Sequence, residues 1–128
     1  MRFAYTIIYV ADVEKTLTFY EKAFNLTRLF LHESGAYGEL NTAATKLAFA
    51  SETLAKSKGV DFISNRSEIK QAPGFEIGLV ADDVEQAYQH AVKAGAIAIK
   101  EPAQKPWGQT VAYVRDINGI LVEICSAI

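Results

Sequence analysis

Hydrophobic and polar positions along this chain fall into two successive series of the same form. Residues 3–10 are a β-branched and aromatic run interrupted by Asp12, so the chain opens with a strand. From Val13 the spacing changes. Val13, Leu17, Tyr20 and Phe24 recur at intervals of four, three and four residues, which lays one apolar stripe down a helix. Asp12 is suited to accept from the free amides of that helix's first turn, and Asn25 to take the left-handed conformation that ends it. Residues 27–31, 37–40 and 46–50 then read as three short strands, separated by Ser34 and Gly35 and by residues 41–44.

The second series repeats the order. Residues 75–80 read as a strand, Asp83 as an N-cap, and Val84, Ala87, Tyr88, Ala91 and Val92 as a helical stripe closed by Gly95. Residues 97–100, 110–115 and 120–125 are the strands that follow. The last two are joined by Asp116-Ile117-Asn118-Gly119, a hairpin signal because glycine takes positive φ without steric cost. A shift of 71 places Asp12, Val13, Glu14 and Lys22 on Asp83, Val84, Glu85 and Lys93.

The expected fold is therefore α+β: two paired β-α-β-β-β modules, residues 1–51 and 75–128, with helices outside a curled, cup-shaped mixed sheet. A unit of about 60 residues buries too little surface to be stable alone, so the modules are expected to pair within one domain. Residues 52–74 connect them. This stretch is rich in Ser, Lys and Asn but holds Val60, Phe62 and Ile63, and it reads either as a functional cover or as a linker.

Composition narrows the functional classes. The 128 residues are 50% hydrophobic and 22% charged, a balance that excludes a disordered or fibrous chain. A net charge of -2 supplies no positive field for nucleic acid or an anionic membrane, and neither is expected as a partner. The single cysteine, Cys125, rules out an internal disulfide framework and a Cys-rich zinc site; it fits a reducing, cytoplasmic setting. The opening apolar run is too short to span a bilayer and lacks a cleavage pattern, so a soluble, unprocessed protein is expected.

Candidate chemistry begins with two carboxylates. Alternation puts Phe3, Tyr5, Ile7 and Tyr9 on one face of the first strand, and the shift of 71 puts Glu76 where Tyr5 stands. Glu76 lies between Phe75 and Ile77, and Glu123 between Val122 and Ile124, so each interrupts an apolar strand. On a solvated face this costs little. Inside a cup it demands a cation, a metal or several hydrogen-bond donors. Two ionised carboxylates in one hollow repel, and one of them then holds its proton to higher pH. That suits Glu123 or Glu76 to act as a general base, with Tyr5 hydrogen-bonding a substrate oxygen.

The doubled module order, the opening Tyr5-Thr6-Ile7-Ile8-Tyr9-Val10-Ala11-Asp12-Val13 leading to Phe19-Tyr20, and the ending Asp116-Ile117-Asn118-Gly119-Ile120-Leu121-Val122-Glu123-Ile124 resemble the vicinal oxygen chelate superfamily. Glyoxalase I, bleomycin-resistance proteins, fosfomycin-resistance enzymes and extradiol dioxygenases belong to it. The resemblance covers nearly the whole chain, and the Lys105-Pro106-Trp107-Gly108 segment resembles glyoxalase-like members. Glyoxalase I takes its metal ligands from the first and fourth strands of each module, as His or Gln, Glu, His and Glu. By this resemblance those positions hold Tyr5, Ala48, Glu76 and Glu123 here, and only the last ligand is retained.

No cofactor is therefore expected, the alternative being a weakly bound Mg²⁺ or Mn²⁺ on Glu76 and Glu123. The resemblance also implies a homodimer whose cups combine Tyr5 and Ala48 of one subunit with Glu76 and Glu123 of the other. Further ligand-binding candidates are His32 at a strand end, Trp107 in a loop, and Phe49, Tyr113 and Arg115 on strands of the cup. Each has a plainer reading as well: a hydrogen-bonded surface residue for His32, interface packing for Trp107, core filling for the aromatics, and a surface ion pair for Arg115. His90 reads as solvated and Cys125 as a small buried side chain. The expected function is capture of a small carbonyl-bearing or aromatic molecule, as in the bleomycin-resistance branch. The rival is a metal-dependent glyoxalase-like lyase or isomerase, or a dioxygenase.

Overall fold

A computed structural model describes residues 1–128. The chain divides into two compact units, Met1–Asn65 and Arg66–Ile128. The first contains β1 (Tyr5–Val10), α1 (Val13–Phe24), β2 (Arg28–Leu31), β3 (Tyr37–Leu40), β4 (Lys46–Ser51) and a short α2 (Glu52–Ser57). The second contains β5 (Glu76–Val80), α3 (Val84–Lys93), β6 (Ile97–Gln104), β7 (Thr110–Arg115) and β8 (Leu121–Cys125).

Each unit has one four-stranded mixed sheet, ordered β1-β4-β3-β2 in the first and β5-β8-β7-β6 in the second. The first strand runs parallel to the last, and the other pairs are antiparallel. The two β-α-β-β-β modules expected from the sequence are thus present. The units meet between Asn65 and Arg66, inside the stretch read as a connector.

The helices form where their caps and stripes require. Asp12 accepts from Lys15 N at 2.9 Å and Asp83 from Gln86 N at 3.0 Å, so equivalent side chains start both module helices. Asn25 closes α1 at φ 54. Below the first sheet, Val13, Leu17 and Tyr20 are buried against the strands, and the Tyr20 ring lies 5.1 Å from that of Phe49. A Cβ at Gly38 would meet Leu17 Cδ1 at 2.6 Å, so the helix packs directly on the backbone there.

The connector is not a bare tether. Ser51 caps α2 by accepting from Leu54 N at 3.1 Å. Beyond the helix, Phe62 packs on Tyr9 with ring centroids 4.9 Å apart, and Asn65 Nδ2 donates to Tyr9 O at 3.0 Å. In the second unit, Arg115 Nη1 donates to Ile69 O at 2.8 Å, which ties the following residues to β7. No helix is long and apolar enough to cross a membrane.

Candidate functional site

Alternation along a strand gives each sheet a face covered by its helix and a face turned away from it. In the second unit Ala112, Val114, Val122 and Ile124 are buried on the face that α3 covers. Their neighbours Tyr113, Glu123 and Cys125 therefore project from the other face. Tyr113 is the register partner of Glu123, and its hydroxyl donates to Glu123 Oε2 at 2.8 Å.

Glu76 joins this group from β5, whose Gly78 is the register partner of Glu123. It lies close enough to Glu123 for the two carboxyls to interact electrostatically. Two carboxylates brought near one another repel when both are ionised. Glu76 is the group held above the ordinary carboxylate range, first by partial desolvation and then by the neighbouring Glu123 charge. The same anion acts on two weaker acids. Tyr113 is pushed up to about 12, chiefly by its hydrogen bond to Glu123, and burial followed by the Glu123 contact raises the Cys125 thiol. Cys125 thus stays protonated at neutral pH, in keeping with its reading as a buried, unreactive side chain.

The corresponding face of the first unit carries a different set. Ala48 is the register partner of Ile7 in β1 and of Glu39 in β3. Glu39 is 8% exposed and accepts from Tyr37 OH at 2.9 Å. Burial, followed by that bond, pushes Tyr37 up to about 12, and Tyr5 adds to the rise. Sequence reading missed Glu39. Nothing local singles it out, and only the ladder places it opposite Ala48.

Tyr5 is 52% exposed on this face, but Phe49 is on the opposite one, fully buried against Tyr20. Its role is to fill the core below the sheet. Arg115 is also buried. Its Nε donates to Gly119 O at 2.7 Å and Nη1 to the backbone at Ile69, so it braces the final hairpin and forms no surface ion pair. His32 Nδ1 lies 2.7 Å from Ser34 Oγ and accepts from Ser34 N at 3.1 Å, holding the β2–β3 turn. Trp107 is 66% exposed, with Nε1 donating to Gln109 Oε1 at 2.8 Å.

The donor set does not fit the metal that the fold family implies. Tyr5 and Ala48 supply no strong ligand in the first unit. In the second, Glu76 and Glu123 are only two carboxyls without an imidazole, and one Glu123 oxygen is already occupied by Tyr113. Neither unit gathers three His, Cys, Asp or Glu side chains able to hold an ion.

A family model for the glyoxalase-like domain matches residues 3–128. The chain belongs to this family. Solved structures agree on the fold. A glyoxalase-related enzyme from Fulvimarina pelagi superposes with a TM-score of 0.82 at 16% identity, over 99% of this chain and 88% of that one. A glyoxalase/bleomycin resistance protein/dioxygenase family enzyme from Burkholderia phytofirmans PsJN gives 0.79 at 18% identity, over 98% of both chains. A glyoxalase/bleomycin resistance protein/dioxygenase superfamily member from Sphaerobacter thermophilus gives 0.71 at 22% identity, over 99% and 98%. No protein of curated function matches the sequence. This glyoxalase-like chain thus has the vicinal oxygen chelate fold.

Proposed function

We propose that this glyoxalase-like protein binds a small organic molecule, carbonyl-bearing or aromatic, against the sheet face that carries Glu76, Tyr113 and Glu123, without a glyoxalase-type metal. One observation carries the reading. The Tyr113 phenol held on Glu123, with the neighbouring Glu76 carboxyl raised above its ordinary range, offers hydrogen-bond acceptors and a proton donor to a polar ligand group. The raised Glu76 can also give its proton to a ligand oxygen and recover it, which allows modest acid–base chemistry.

A homodimer forms part of this proposal. β1 and β5 are edge strands of their sheets, and Ile7 and Val80 on them are 42% and 67% exposed. Unpaired edges beside apolar side chains are surfaces that a partner chain covers.

The test is elemental analysis of the purified protein, followed by thermal shifts with Ni²⁺, Zn²⁺, Mn²⁺ and Mg²⁺ and with planar carbonyl compounds, because a ligand of the native state alone must stabilise it. Stabilisation by organic compounds that is lost in Glu123→Gln is expected. A stoichiometric metal whose removal lowers stability would overturn the metal-free reading. Light scattering on the eluting peak should give twice the monomer mass for the parent and less for Val80→Lys.

A further inference from the structure

A cleft of about 450 Å³ opens in the first unit, lined by Arg2, Phe3, Ala4, Tyr5, Glu39, Ala44 and Lys46. Its volume is that of a small-molecule pocket. Glu39 reaches it from within the fold, 8% exposed, with Oε1 held by Tyr37 OH at 2.9 Å. The other oxygen takes no hydrogen bond from the chain and is not sealed from solvent, so it is free to accept from a ligand.

The two cations of the cleft do not occupy that oxygen. Lys46 Nζ donates instead to Ala43 O at 3.2 Å, and Arg2 makes no ion pair. Both are more exposed than Glu39. The walls are apolar, with Phe3 71% and Tyr5 52% exposed. The cleft thus combines a largely buried carboxylate with one oxygen open to a donor, positive charge nearer solvent, and aromatic surface.

We propose that this cleft is a binding site for a small zwitterion of the aromatic α-amino acid class. The ligand ammonium donates to the free oxygen of Glu39. Its carboxylate meets Arg2 and Lys46, and its ring packs on Phe3 and Tyr5. Tyr37 holds the Glu39 carboxylate in place and acts as a positioning residue. The inference stands apart from the function proposed for the second unit, since no residue is shared.

Isothermal titration calorimetry with L-phenylalanine, phenethylamine and phenylacetate tests it, on the parent and on Glu39→Gln and Arg2→Ala. Saturable binding of L-phenylalanine is expected, weakened about tenfold or more by Glu39→Gln, the loss of a charged hydrogen bond. Arg2→Ala lies on an exposed residue and leaves folding intact. It should weaken L-phenylalanine several-fold while leaving phenethylamine unchanged, because only the amino acid carries a carboxylate. No saturable binding of L-phenylalanine, equal binding by Glu39→Gln with an unchanged melting temperature, or tighter binding of phenylacetate than of L-phenylalanine would each overturn the proposal. Should Glu39→Gln fail to fold, the Arg2→Ala comparison decides alone, and equal loss for both amines overturns it.

Discussion

Tyr113 stands directly opposite Glu123 across the β7–β8 ladder, and its phenol donates to the carboxylate at 2.8 Å. Ionising the phenol would remove that bond and set two anions side by side, so the pair keeps its proton to about 12. Tyr37 reaches a similar value in the first unit, through burial and its bond to Glu39.

The first prediction is a loss of stability in alkali. Both phenols have folded-state values above their ordinary 10.0, so the folded protein holds these protons more tightly than the unfolded chain. Their contribution is complete below pH 10 and is lost as pH rises through about 12. Denaturant unfolding across this window should show a falling free energy. Tyr113→Phe and Tyr37→Phe should each flatten the slope, and ultraviolet difference titration should assign the two late-ionising phenols to these positions.

The second prediction concerns Glu76, which is raised by desolvation and by Glu123. A raised carboxyl contributes stability below its unfolded-state value, and this contribution is lost as pH rises through the folded-state one. Above the unfolded-state value, holding Glu76 beside Glu123 is therefore a net cost, whether the pair is ionised or Glu76 keeps its proton. Glu76→Gln removes one charge and gives Glu123 an amide donor, so it should stabilise the protein at pH 7. The gain should stay below about 1 kcal/mol, because Glu76 is solvent-accessible. Melting curves should converge with those of the parent as pH falls through the carboxylate range; a constant difference at all pH values would exclude a titrating origin.

A third prediction tests the repeated caps. Asp12→Ala and Asp83→Ala each strip an acceptor from a first-turn amide. Each should cost about 1 kcal/mol in denaturant unfolding, and Asp→Asn at either position should recover most of the loss.

These caps belong to the part of the fold that was legible in the sequence, since a helix start and an apolar stripe are local signals. Val13, Leu17 and Tyr20 could be placed from spacing alone. Other features depend on distant neighbours. α2 spans six residues, too few for periodicity to register. β6 continues through Pro102 to Gln104 although a proline ordinarily ends a strand, because it is an edge strand with irregular register. At the site, alternation along β4 already turns Phe49 away from Ala48 and Ala50, whereas the pairing of Tyr113 with Glu123 follows from the β7–β8 register. Glu39 was not legible. Its meaning arises from standing opposite Ala48 and from the Tyr37 phenol that holds it, and both follow from strand register.

The final prediction concerns Gly119, which closes the β7–β8 hairpin at φ +83. An L side chain is strained in that conformation, and space is lacking as well: a Cβ would come within 2.6 Å of Arg66 O and 2.5 Å of Arg115 Nη2. Arg115 cannot easily yield, since Nε and Nη1 hold Gly119 O and Ile69 O, and Asp116 Oδ1 fixes the turn by accepting from Asn118 N and Ile120 N at 2.8 Å each. Gly119→Ala should therefore destabilise the protein by more than about 1 kcal/mol, beyond the cost of a strained turn alone. Because β8 carries Glu123, the substitution should also disturb the Tyr113 pair. Unfolding measurements combined with phenol titration would separate the effects: lost stability with a retained late-ionising Tyr113 confines the damage to the turn, whereas an earlier titration shows that the hairpin sets the register of the acidic site.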